Sequence, residues 1–224
     1  MCYLLIVSEC LVLAKINTNI KFRMHKDTIF PLFYLPPIHY FTALKESQGD
    51  ILLEIHEHFP KQTYRNRASI HSPNGKLDLI VPVERGAEVR RPIKDIRISY
   101  EFNWQRIHWL SLQTSYRSSA FFEFYEDDFA PFYENKWEFL VDYNQELLTL
   151  ISRLLKLDFS FIPTTEYKPV ETELDFRKAI HPKKDIFFSV SPYYQVFEDR
   201  NGFIGNLSIV DLLFNQGPHS RNHI

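Results

Sequence analysis

The stretch Ile29–Glu57 reads IFPLFYLPPIHYFTALKESQGDILLEIHE. Its opening, Ile29–Leu35, is a short apolar run that suits a buried strand. Pro36-Pro37 ends the run, since proline removes a backbone donor and presets φ for a helix start. IHYFTALKES follows, with apolar residues at 38, 40, 41 and 44, the spacing of one helical face. Asp50–Glu57 (DILLEIHE) is a second strand. Two strands joined by a helix over so short a span favour a parallel crossover. The fold class expected is therefore α/β: a single mixed α/β domain with an N-terminal β-α-β unit, a β-hairpin sheet and a helical C-terminal half.

The flanking sequence extends this reading. Gln62–His71 is expected as a strand, Ser72-Pro73-Asn74-Gly75 as a turn and Leu77–Val83 as the return strand. Proline suits the second position of a type I turn, and Gly75 supplies the left-handed conformation after it. Leu77, Leu79, Val81 and Val83 then share one face. Pro82 marks where the return strand ends or lacks a partner on one side. Ile93–Ser99 alternates and reads as a further strand, so one sheet is expected from segments near 30, 51, 62, 77 and 93.

From Asn103 the period becomes helical, with Trp104, Ile107, His108, Ser111, Leu112 and Ser115 on one face. Phe121–Tyr133 is aromatic and acidic, and reads as a short helix with loops. Asn135-Lys136-Trp137-Glu138 resembles a capping box that opens a helix to about Leu157. Its inner stripe is Leu140, Asn144, Leu147, Leu148, Ile151 and Leu155. Residues 158–192 contain Pro163, Pro169, Pro182 and Pro192 and read as loops with a short helix near Asp175–Ile180. NLSIVDLLFNQGP at 206–218 is a short helix, with Ser208 and Asp211 placed to cap it and Gly217-Pro218 to stop it.

A chain of 224 residues has the size of one domain, and 45 % hydrophobic residues supply a sizeable core. With six glycines and no GxGxxG or GxxxxGKS/T pattern, a glycine-rich phosphate loop is not expected. A formal net charge of −2 lacks the basic excess of a general nucleic-acid binder. Cys2 and Cys10 have no CxxC spacing and give no disulfide framework. His56-Glu57-His58 comes nearest to a metal pattern but lacks a third ligand, so neither metal nor cofactor is expected. The apolar run at residues 3–14 is too short to span a bilayer. It reads either as a weak signal peptide or, in preference, as an extension of residues 1–23 ahead of a natural start at Met24. Residues 24–224 are then a cytoplasmic domain without a membrane span.

Candidate chemistry centres on KQTYRNRASI at 61–70, which as a strand puts Lys61, Thr63, Arg65, Arg67 and Ser69 on one face. Guanidinium groups offer planar forks of donors that match phosphate or carboxylate. Two readings fit: an anion site, or a charged sheet edge that deters pairing. Asn66 and Tyr64 face the other way. Glu57, shortly before, is either a general base or a salt-bridge acceptor for these arginines. His108, on an apolar stripe, is either a hydrogen-bonded core histidine or a buried base. Tyr116 and Arg117 end that helix and either face the same cleft or cap the helix C-terminus. Asn144 on its leucine stripe needs a hydrogen-bond partner. No GxSxG nucleophile elbow occurs.

In order, PLFYLPPIHYF, HFPKQTYRNRASIHSPNGKLDLIVPV, KDIRIS, NWQRIHWLSLQTSYRSSAFFEFYEDD and NLSIVDLLFNQGP resemble the WbqC-like family of bacterial proteins. The likeness runs from about Phe30 to Pro218. Members occur in gene clusters for surface polysaccharide (O-antigen). The resemblance implies a glycyl, aminoacyl or related acyl transferase acting on a sugar or nucleotide-sugar. Carried over by position, it points to Lys61, Arg65, Asn66 and Arg67, to Trp104 and His108, and to Tyr116. This chain departs from the family pattern at His39, where many members have glycine, and at Glu57, where they have aspartate. If the glycine serves close backbone approach to a ligand, His39 alters that contact. A weaker likeness to the opening of nucleotidyltransferase-like folds concerns fold alone.

The combined expectation is a transferase with His108, Glu57 and Tyr116 as catalytic residues. Lys61, Arg65, Asn66, Arg67, Trp104 and Arg117 would bind a small anionic, phosphate- or carboxylate-bearing substrate. The cationic strand face would line a cleft closed by the helix from Trp104 to Tyr116. The alternative is a non-catalytic anion- or sugar-binding protein that scaffolds a polysaccharide-synthesising complex. Neither reading calls for nucleic acid.

Overall fold

The computed structural model describes residues 27–224 apart from 48, 85–90, 170–173, 187 and 189. The extension expected at 1–23, with Cys2, Cys10 and the start at Met24, lies outside the described residues. Strand β1 (Thr28–Pro31) passes through Pro36-Pro37 to helix α1 (Ile38–Glu46), and the chain returns in β2 (Ile51–Glu54), parallel to β1. Strands β3 (Arg67–Ser72) and β4 (Gly75–Ile80) form an antiparallel hairpin with Ser72 opposite Gly75. Gly75 has φ +95°, the conformation the turn requires. Helices α2 (Trp104–Tyr116), α3 (Phe122–Glu134) and α4 (Leu140–Leu154) follow. Then β5 (Phe161–Pro163) joins β2 in parallel, giving the sheet order β1-β2-β5. Helices α5 (Glu198–Asn201) and α6 (Ile209–Gln216) complete the chain with a final 3-10 segment.

The architecture is thus mixed α/β: a small parallel sheet, a hairpin and a helical C-terminal half. The apolar spacing explains the buried faces. Ile38, Tyr40, Phe41, Ala43 and Leu44 bury one side of α1, and Leu140, Asn144, Leu147, Leu148, Ile151 and Leu155 are all buried along α4. Large aromatic side chains fill the space between layers, among them Phe33, Tyr34, Trp104, Tyr143 and Phe214.

Several local expectations are corrected. Lys61–Asn66 forms turns, and β3 begins only at Arg67. The backbone there is tied elsewhere: Asn144 Nδ2 donates to the Arg65 carbonyl at 2.7 Å, and Thr63 Oγ1 donates to the Pro60 carbonyl at 3.1 Å. Hairpin and parallel strands form two sheets, not one. Ile93–Asp95 is a 3-10 turn, and only the isolated bridges Val83–Ile98 and Arg97–Phe139 stand where a strand was expected. Phe121–Tyr133 falls on one continuous helix, α3. The capping box does not form, because Asn135 is the C-cap of α3, Glu138 pairs with Arg97, and α4 starts after Phe139. Asp175–Ile180 makes turns rather than a helix. On α2, Ile107 is 55 % exposed; packing against β3, α3 and α6 buries Trp104, Gln105, His108, Leu112, Ser115 and Tyr116 instead.

Gly217 stops α6 with φ +52°, and a Cβ there would lie 2.5–2.7 Å from Phe121 ring atoms. Gly217→Ala therefore combines left-handed strain with a clash against a packed ring. The expected cost is about 2–4 kcal/mol, or a Tm lower by roughly 6–12 °C in calorimetry. An unchanged Tm would show that this close approach is not required.

Candidate active site

The loops leaving β2 and β5 at their carboxyl ends frame a cleft of about 630 Å³. Open α/β sheets place ligands on this side of their strands. The lining is Glu57, His58, Pro60, Lys61, Thr63, Arg65, Tyr167, Arg177, Lys178, His181, Lys183 and Lys184.

Buried ion pairs build its floor. Glu54, the last residue of β2, accepts from the His56 backbone at 2.8 Å, Thr164 Oγ1 at 3.0 Å and Arg177 Nη1 at 2.7 Å. Arg177 Nε also donates to both Asp175 oxygens at 3.0 Å, and its Nη1 donates to the Lys168 carbonyl at 2.7 Å. Beside this cluster, Nε and Nη2 of Arg65 share Glu57 Oε1 at 2.6 Å. Arg65 Nη2 reaches the Arg177 carbonyl at 3.1 Å, and its guanidinium lies over the Phe33 ring at 5.5 Å. Burial pushes the Glu57 carboxyl above its ordinary range, against the opposing pull of Arg65.

The mouth differs in character. Lys61, Lys178, Lys183 and Lys184 are exposed, and none has a carboxylate partner among the described residues. Tyr167 is 50 % exposed, with the Arg177 guanidinium 5.0 Å from its ring centre. Burial, together with the charges of Lys184, Arg65 and Lys183, lowers the pKa of His181. Its Nδ1 accepts the Lys183 backbone N–H at 3.1 Å, which assigns the proton of the neutral ring to Nε2. His181 therefore presents a donor.

Glu57, Lys61 and Arg65 meet at this cleft; the other residues marked from sequence do not line it. Arg65 and Arg67 share no strand face, because Arg65 sits in a turn. Asn66 donates to the Val81 carbonyl at 2.9 Å, and Arg67 Nε is buried without a partner among the described residues. Trp104 and His108 belong to a buried ring cluster with Tyr34 and Tyr143. His108 Nδ1 lies 3.0 Å from the Tyr34 hydroxyl. Tyr116 donates to Asp211 Oδ1 at 2.6 Å from within the core, while Arg117 is exposed beside Glu126 at 3.4 Å. Helix α2 thus backs the hairpin and does not close the cleft. Asp211 also accepts from Tyr193 and Gln195, and Ser208 alone caps α6. Tyr167, Arg177, His181, Lys183 and Lys184 were not marked from sequence. For the last four the signal in the sequence is the basic run RKAIHPKK at 177–184; Tyr167 lies outside it.

Every residue lining the cleft falls within residues 33–186, the span that matches the WbqC-like protein family. The chain belongs to that family. No curated protein and no solved structure matches it. The WbqC-like span also contains the ion pairs of the floor and stops before α6. Among the described residues, no three His, Cys, Asp or Glu side chains converge as metal ligands. Nor is any described helix long and apolar enough to cross a membrane.

Proposed function

We propose that this WbqC-like protein is a transferase. It moves a glycyl, aminoacyl or related acyl group onto a sugar or nucleotide-sugar in surface-polysaccharide (O-antigen) assembly, within the cytoplasm. The observation that carries the reading is Glu57: a largely buried carboxyl, raised by burial, at the floor of a cleft with a cationic mouth. A general base works best when its pKa approaches the working pH. Glu57 takes the proton of the attacking amine or hydroxyl as the new bond forms to the acyl carbon. The leaving group departs with its bonding electrons and recovers that proton. Nε2–H of His181 supplies a donor for the developing oxyanion. The mouth lysines hold an anionic substrate, and Arg65 positions Glu57. In this account His108 and Tyr116 act through the core behind the cleft.

Glu57→Gln is expected to lower turnover by roughly 10²–10⁴-fold with substrate binding retained. The wild-type rate should fall on acidification through a pKa above the ordinary value of 4.5, and this limb should vanish in the variant. Wild-type turnover by Glu57→Gln would end the assignment. The Glu57–Arg65 pair also suits a protein that binds an anion without chemistry. That reading predicts tight binding by both forms and turnover by neither.

A further inference from the structure

We infer that the anion taken by the cleft is a nucleoside diphosphate, free or carrying a sugar, with its base on Tyr167 and its phosphates across the mouth lysines. This rests on reading the cleft as an anion site. Carboxylate ligands are usually gripped by arginine forks, and both forks here are engaged: Arg65 by Glu57, and Arg177 by Glu54 and Asp175. Two guanidiniums thus face three carboxylates, so the floor offers no unbalanced positive charge to a small organic acid. The excess charge lies at the mouth, on Lys61, Lys178, Lys183 and Lys184. An ammonium is a compact point charge on a flexible stem, which suits phosphate oxygens spread along a chain. Four such groups around a space of about 630 Å³ match a diphosphate better than a single carboxylate.

Tyr167 supplies the second half of the argument. Its ring is half-exposed but not loosely held. The Arg177 guanidinium lies 5.0 Å from the ring centre, and the next residue is fastened twice. Lys168 donates its N–H to Glu54 Oε2 at 3.4 Å, and its carbonyl accepts from Arg177 at 2.7 Å. A fixed aromatic ring on the wall of a cationic cleft is a platform for a planar base. Glu57 lines the same cleft as Tyr167 and these lysines.

The test is calorimetric titration of the full chain with ADP, GDP, CDP and UDP, with pyrophosphate, and with citrate as a carboxylate polyanion. At least one nucleoside diphosphate should bind ten times more tightly than pyrophosphate, and citrate should bind more weakly than either. Tyr167→Ala should remove roughly a tenfold to hundredfold advantage of the nucleotide and leave pyrophosphate affinity unchanged. The Lys183→Ala/Lys184→Ala variant should weaken both ligands by more than tenfold and reduce their salt dependence. Citrate binding as well as the diphosphates, or a Tyr167→Ala variant with full nucleotide preference, overturns the inference while the anion site stands. If no probe binds, or the lysine variant binds like wild type, the anion site itself falls.

Discussion

Arg177→Met is expected to destabilise the protein by about 3–5 kcal/mol, the usual effect of leaving buried charge unpaired. Arg177 closes a cluster in which Glu54 and Asp175 are both buried, at 2.7 Å and 2.5 Å from its guanidinium. Methionine fills similar space but leaves two carboxylates without their cation. It also frees the Lys168 carbonyl and so loosens the segment that carries Tyr167. Urea denaturation would measure the loss. A deficit below about 1 kcal/mol at neutral pH would mean that the cluster is not the keystone of the cleft floor.

The second large effect is with pH. His39 and His108 are buried, and desolvation pushes the pKa of each from 6.5 down to about 4. Both are neutral in the native chain, whereas the unfolded chain takes up protons first as the pH falls. Their contribution is therefore complete above pH 6.5 and is lost as the pH drops toward 4. Each gap corresponds to roughly 3 kcal/mol. The carboxyls of Glu57 and Asp211 work in the opposite sense, since burial raises both and their protonation favours the native state on acidification. His39→Leu isolates one histidine. Asn206 accepts the backbone N–H of His39 at 3.0 Å, a bond that leucine keeps, and among the described residues neither ring nitrogen has a partner within hydrogen-bond distance. The variant should equal or exceed wild type at pH 7. Its loss of stability between pH 7 and pH 4.5 should be smaller by about 2–3 kcal/mol. Identical pH profiles would show that His39 is not held neutral.

The β-α-β unit was legible because its signals are local: an apolar run, two prolines, a helical spacing and a second run. The hairpin and the stripe of α4 were legible for the same reason. Strand β5 was not, since three residues with no pattern of their own pair with β2 from far along the chain. KQTYRNR alternates like a strand, yet Asn144 on a distant helix takes the Arg65 carbonyl that a ladder would have used. With the segment held in turns, Arg65 sits in a buried pair with Glu57 instead of on a cationic strand face. The site was half legible. Glu57, Lys61 and Arg65 sit near one another in sequence, but Tyr167, Arg177 and His181 come from 158–192, where no periodicity predicts which side chains turn inward. His108 and Tyr116 drew notice as polar groups on an apolar helix. Their partners, Tyr34 and Asp211, lie 74 and 95 residues away.

Hydrogen exchange with and without a saturating nucleoside diphosphate tests the central claim most directly, because it reports where the ligand sits. The account predicts slower exchange in segments 57–65, 164–169 and 174–184, with α2 unchanged. Protection over residues 104–116 with none at 57–65, 164–169 or 174–184 would contradict it and move the site to the buried cluster of Trp104 and His108.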